Sequence, residues 1–174
     1  MKIFISWSAS PSKEIAQILF ARIPLILQYV KPFMSEEIEK GSRGLNVIAE
    51  ELRGTEFGIL CLAPNNVDST WINFEAGALS KSLEEARVFP ILFGMQKYEL
   101  KGPLNQFQIT YPKKDDFLRM IISINNNAGQ YSIKEELLKN SFDAIWPLEI
   151  VRICPSERLA NFYVQHAVAV SVAW

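Results

Sequence analysis

Short apolar runs rich in β-branched and aromatic residues alternate along this chain with stretches of helical character, and that alternation restricts the fold more than any single motif. "KIFISWS", "TEFGILCLAP" and "RVFPILFG" read as strands buried on both faces, "YVKPFMS" as a short irregular strand, and "FQITYP" as a fifth, edge strand because of Pro112. Between them the sequence predicts helices over "PSKEIAQILFARI", "LNVIAEELRG", "WINFEAGALSKSLEEA" and "KKDDFLRMIISINN". Ser10 and Pro11 offer a cap and a first-turn proline for the first of these, and Ser69 or Thr70 a cap for the third. Strands and helices in this order predict βαβ units, a parallel sheet and an α/β class. After Gly129, "SIKEELLKNSFDAIW" predicts an additional amphipathic helix capped by Ser132, whereas the tail from Arg152 to Trp174 shows no clear period.

With 174 residues, 49% of them apolar and 21% charged, the chain can bury a core without disulfides or metals. Eighteen basic side chains against 19 acidic ones leave a net charge of −1, so no global field recruits nucleic acid or an anionic membrane. Cys61 lies inside the apolar run "GILCLAP", where a buried thiol is expected, and with Cys154 as its sole companion the cysteine usage points to a reducing, cytoplasmic setting. No apolar run reaches the roughly 18 residues of a membrane span, and "MKIFISWS" lacks the h-region and cleavage site of a signal peptide. Two cysteines and the single His166 have no metal-ligand spacing, so no metal is expected. No glycine-rich phosphate fingerprint occurs.

The stretch "STWINFEAGALSK" singles itself out. At about 100° per residue, Trp71, Glu75, Ala78 and Ser82 share one helical stripe, beside an apolar stripe of Ile72, Ala76, Leu79 and Leu83 that suits the sheet. Glu75 therefore borders the core, and Gly77 with Ala78 keeps that surface shallow enough for a ligand to approach. The helix follows a parallel strand, and ligands of open α/β sheets collect outside the carboxyl ends of the strands. Read without context, Glu75 is a solvated first-turn carboxylate favoured by the helix dipole, and Trp71 a core aromatic.

In order, "KIFISWS", "PFMSEEIEKGSRG", "GILCLAP" and "STWINFEAGALSK" resemble the corresponding segments of bacterial TIR (Toll/interleukin-1 receptor) domains over roughly residues 1–126. The pattern Ser69-x-Trp71-x-x-x-Glu75 coincides with the position of the catalytic glutamate in NAD⁺-consuming TIR domains; Gly44 departs from the family, where a large aromatic often follows "GSR". The resemblance implies a flavodoxin-like five-stranded parallel sheet of order 2-1-3-4-5, with residues 127–174 as an extension packed on it. It also implies a site with Glu75 as catalyst and with Ser6, Trp7, Ser8, Ser35, Arg43 and Trp71 contacting substrate. Trp7 could stack on a base or fill the core, and Arg43 could pair with a pyrophosphate through its planar fork. NAD⁺ would be substrate rather than cofactor, the partners being other TIR protomers and a separate sensor or effector in antiphage defence. Two other readings compete: a noncatalytic TIR adaptor that docks through "SEEIEKGSRG" and the tail, and a nucleoside deoxyribosyltransferase-like enzyme in which Glu75 is a covalent nucleophile.

Overall fold

The computed structural model describes residues 1–7, 10, 12–34, 55–64, 67, 87–100 and 102–153. The helices expected over residues 45–54 and 71–86, and the tail from 154 to 174, lie outside the described residues. Four strands, β1 (Lys2–Ser6), β2 (Lys31–Met34), β3 (Phe57–Leu62) and β4 (Arg87–Leu92), form one sheet of order β2-β1-β3-β4. Every pairing is parallel, with Ile5 beside Met34 and Ile59 and with Ile59 beside Phe89. The α/β class read from the alternation of elements is thus what the chain forms.

Among the described residues, three helices cover one face. They are α1 (Ser12–Ile26), α2 (Lys114–Asn126) and α3 (Glu135–Ile153). Because side chains alternate along a strand, Ile3, Ile5, Ile59, Cys61 and Ile91 point to this side and Phe4, Leu60, Leu62, Val88 and Leu92 to the other. α1 meets the first set with Ile15, Leu19, Ile23 and Ile26, the three-to-four spacing of a single helical stripe. The second set packs against Met95, Leu100 and Leu104, with Phe107, Ile109 and Tyr111 partly buried beside them.

Boundaries differ from the sequence expectation where tertiary contacts outweigh local signals. α1 runs on through Pro24 to Ile26, since a proline in the last turn forfeits a single hydrogen bond while Ile26 gains burial. Ser132 does not cap α3: its N–H closes a 3₁₀ turn onto the Gly129 carbonyl, and α3 begins at Glu135. α3 continues to Ile153, past the expected end at Trp146, and it contacts both α1 and α2. Leu138 and Phe142 of α3 are fully enclosed in the main core, and Trp146 stacks on Phe142 at 5.2 Å and meets Phe117 at 5.3 Å.

The fifth strand is reduced to one parallel bridge between Thr110 and Ile91. Thr110 N–H donates to the Pro90 carbonyl at 2.8 Å and its carbonyl accepts from Leu92 N–H at 3.0 Å. In a parallel ladder the next bonds outward require an N–H at position 90 on one side and at position 112 on the other. Both residues are prolines, so neither donor exists and the ladder stops after one rung.

Candidate functional site

The connection leaving β1 crosses to β2 on one side, while the chain from β2 returns to β3 on the other, so β1 and β3 are neighbours whose outgoing connections diverge. That divergence is a topological switch point, and ligands of open α/β sheets bind outside the carboxyl ends of the strands at such points. Ser6 ends β1 there, paired with Leu60, and Ala63 and Pro64 follow β3.

Of the residues expected to form a site, two are described. Ser6 is wholly buried at the carboxyl end of β1. Trp7 is half-buried and packs against the main core, and the Lys13 ammonium lies over its ring, 5.1 Å from the centroid. One part of the Trp7 ring therefore fills core, and its cationic neighbour occupies a position where a stacked base could otherwise lie. Its indole Nε1 is buried and finds no hydrogen-bond acceptor among the described residues. Ser8, Ser35, Arg43, Trp71 and Glu75 lie outside the described residues.

In sequence, three of the segments that carry these residues follow strand ends. Ser8 is two residues beyond the end of β1, Ser35 directly follows Met34 at the end of β2, and the segment with Trp71 and Glu75 leaves from the end of β3. In a parallel sheet all three strand ends lie on the same side.

Lys13 was not among the residues selected from sequence, though a cation in the first turn of the helix after β1 was the available signal. Beside it Ser10 donates its hydroxyl to the Glu14 carboxylate at 2.5 Å. That hydrogen bond, followed by the first-turn backbone and the Lys13 charge, holds Glu14 below the usual carboxylate range. This edge thus carries an ammonium, an ionised carboxylate and an aromatic ring within the first turn of α1 and the end of β1. Among the described residues no group of His, Cys, Asp or Glu side chains is arranged to hold a metal ion, and no helix is long and apolar enough to cross a membrane.

No family model matches the sequence, and no curated protein matches it either. Among solved structures, an azoreductase from Bacillus anthracis str. Sterne is 8% identical over 83% of this chain and 95% of its own, with a TM-score of 0.37. Azoreductase AzrA is likewise 8% identical over 83% of this chain and 96% of its own, with a TM-score of 0.36. Likenesses this loose carry no inference about ligand or reaction, and the parallel α/β architecture rests on the strand pairings themselves.

Proposed function

We propose that this chain is an NAD⁺ nucleosidase of the TIR type, with Thr110 marking the place of the fifth strand. The observation that supports the reading most directly is the switch point between β1 and β3. The segments bearing Ser8, Ser35, Arg43, Trp71 and Glu75 all follow, in sequence, strands that end at the carboxyl edge of the sheet. The pattern around Glu75 supplies the chemistry.

In this reading the bond between C1′ of the ribose and the pyridinium nitrogen breaks heterolytically, and its electron pair leaves with neutral nicotinamide. The ribose becomes oxocarbenium-like, and the Glu75 carboxylate stabilises the positive charge and accepts hydrogen bonds from the ribose hydroxyls. Water then captures C1′ to give ADP-ribose, or an adenine nitrogen does so to give a cyclic product. A neutral leaving group requires no general acid. At an ordinary carboxylate pKa of about 4.3 the glutamate is already ionised at neutral pH.

The test is nicotinamide release from NAD⁺ at high protein concentration, with product masses read by mass spectrometry, for the native chain and Glu75→Gln. Turnover in the native chain that drops at least about 100-fold in the variant is expected, the scale of losing one charge-stabilising group. Equal turnover in both would remove Glu75 as the catalyst. No turnover in any assembled state would favour an adaptor, and base exchange on deoxynucleosides without NAD⁺ cleavage would favour a deoxyribosyltransferase.

A further inference from the structure

Lys13 is a lysine that the fold holds in place. It stands in the first turn of α1 and is half-buried, whereas Glu14 beside it is exposed. Successive residues of a helix point about 100° apart, and these two side chains part accordingly. The Glu14 carboxylate accepts from the Ser10 hydroxyl at 2.5 Å, and the Lys13 ammonium lies 5.1 Å from the centroid of the Trp7 ring. Trp7 directly follows β1 and packs on the main core. Lysine carries more rotamer freedom than most side chains, and resting on a ring that is itself packed removes part of that freedom before any ligand arrives.

The ammonium stands at the carboxyl end of β1, on one side of the switch point between β1 and β3, where ligands of open α/β sheets bind. The same turn of α1 is the positive end of the helix dipole, so the local field favours an anion. Glu14 is held by Ser10, whose hydrogen bond does more to keep it ionised than the Lys13 charge does. An ammonium has three N–H donors, and a ring face engages only the side turned towards it, so Lys13 can keep its contact with Trp7 while donating to an oxyanion. A pyridinium ring would be repelled by that charge and an uncharged sugar would gain little from it. The anionic part of a dinucleotide is its pyrophosphate.

We propose that Lys13, seated on the Trp7 ring, holds the pyrophosphate of the dinucleotide at the carboxyl edge of the sheet. The ring then serves as the seat of the ammonium rather than as a platform for a base. This inference rests on the NAD⁺ reading for the identity of the nucleotide, but it concerns how the phosphates are held and not how C1′ reacts.

The experiment compares the full native chain with Lys13→Met and Lys13→Arg in two assays. One is calorimetric binding of ADP-ribose, which carries the pyrophosphate but no nicotinamide; the other is steady-state nicotinamide release from NAD⁺. Lys13→Met should raise the ADP-ribose Kd and the NAD⁺ KM about 10- to 100-fold, the scale of one hydrogen bond to a charged group, with kcat changed far less. Lys13→Arg, which keeps the charge and can lie on the same ring, should return both constants to within about threefold of the native values. Equal ADP-ribose affinity in the native chain and Lys13→Met would overturn the proposal. So would a loss that Lys13→Arg does not relieve, or no binding of ADP-ribose by the native chain. The two readings fail separately. Nicotinamide release with a KM indifferent to Lys13 leaves the nucleosidase standing without this contact, whereas Lys13-dependent binding of ADP-ribose without nicotinamide release in any assembled state leaves the contact standing without the nucleosidase.

Discussion

Asn125 shows how one side chain can organise a junction that local sequence signals misassign. It is buried at 2% exposure, its amide Nδ2 donates to the Ile133 carbonyl at 2.8 Å, and its Oδ1 accepts from Ile133 N–H at 2.9 Å and from the Tyr29 hydroxyl at 3.1 Å. The amide thus substitutes for a strand neighbour and fixes the start of α3 without help from Ser132. Asn125→Ala would leave both Ile133 groups buried without partners, at a cost of about 2–4 kcal/mol in the midpoint of urea unfolding. Tyr29 adds a pH dependence. Burial pushes its hydroxyl from the ordinary value of 10.0 up to about 12. A folded-state value above the unfolded one means the native state holds the proton more tightly, so the contribution to stability is complete below pH 10 and is lost as pH rises through about 12. Urea midpoints between pH 9 and 12 should therefore fall less steeply in Tyr29→Phe than in the native chain, after allowing for the variant's lower stability at neutral pH.

At the level of elements, β1, β3 and β4 were legible because each is a largely apolar run, and burial on both faces is what a parallel sheet demands. The extent of pairing was not legible. "FQITYP" satisfies strand composition, yet hydrogen bonding there depends on Pro90, which lies 20 residues away in sequence and is adjacent only once the sheet forms. The site residues expected from sequence, Glu75 foremost, lie mostly outside the described residues, and the place of Lys13 over Trp7 is a tertiary relation between the end of β1 and the first turn of α1 that no spacing rule announces. The proline account predicts that restoring both donors, with Pro90→Val and Pro112→Thr together, lengthens the β4 pairing. Amide exchange at positions 90 and 112 should then be slowed several-fold relative to exposed loop amides, as expected for bonds worth about 0.5–1.5 kcal/mol each. Free exchange at both positions would show that something other than the missing donors ends the ladder.

Among the described residues the core on the helical face is continuous from the sheet to α3, so global unfolding exposes its centre in full. Cys61 reports on that opening: it lies on the interior strand β3 at 0% exposure, and burial pushes its thiol well above the ordinary range. The thiolate is the reactive form, so a thiol reagent reaches Cys61 only through unfolded molecules. In a Cys154→Ser background the labelling rate of Cys61 then tracks the unfolding equilibrium, provided refolding outpaces labelling. A ligand bound only by the folded state lowers that equilibrium by a factor of 1 + [L]/Kd, about 100-fold, or 2.7 kcal/mol, at 100 times Kd. On the proposed reading, adding Glu75→Gln to this background removes turnover without removing the other substrate contacts, which separates binding from catalysis. If the carboxyl edge of the sheet holds NAD⁺, the Cys61 labelling rate should fall in inverse proportion to NAD⁺ once its concentration exceeds Kd. A rate indifferent to NAD⁺ up to millimolar concentration would remove the dinucleotide as a ligand of the folded chain, whatever the activity assay reads.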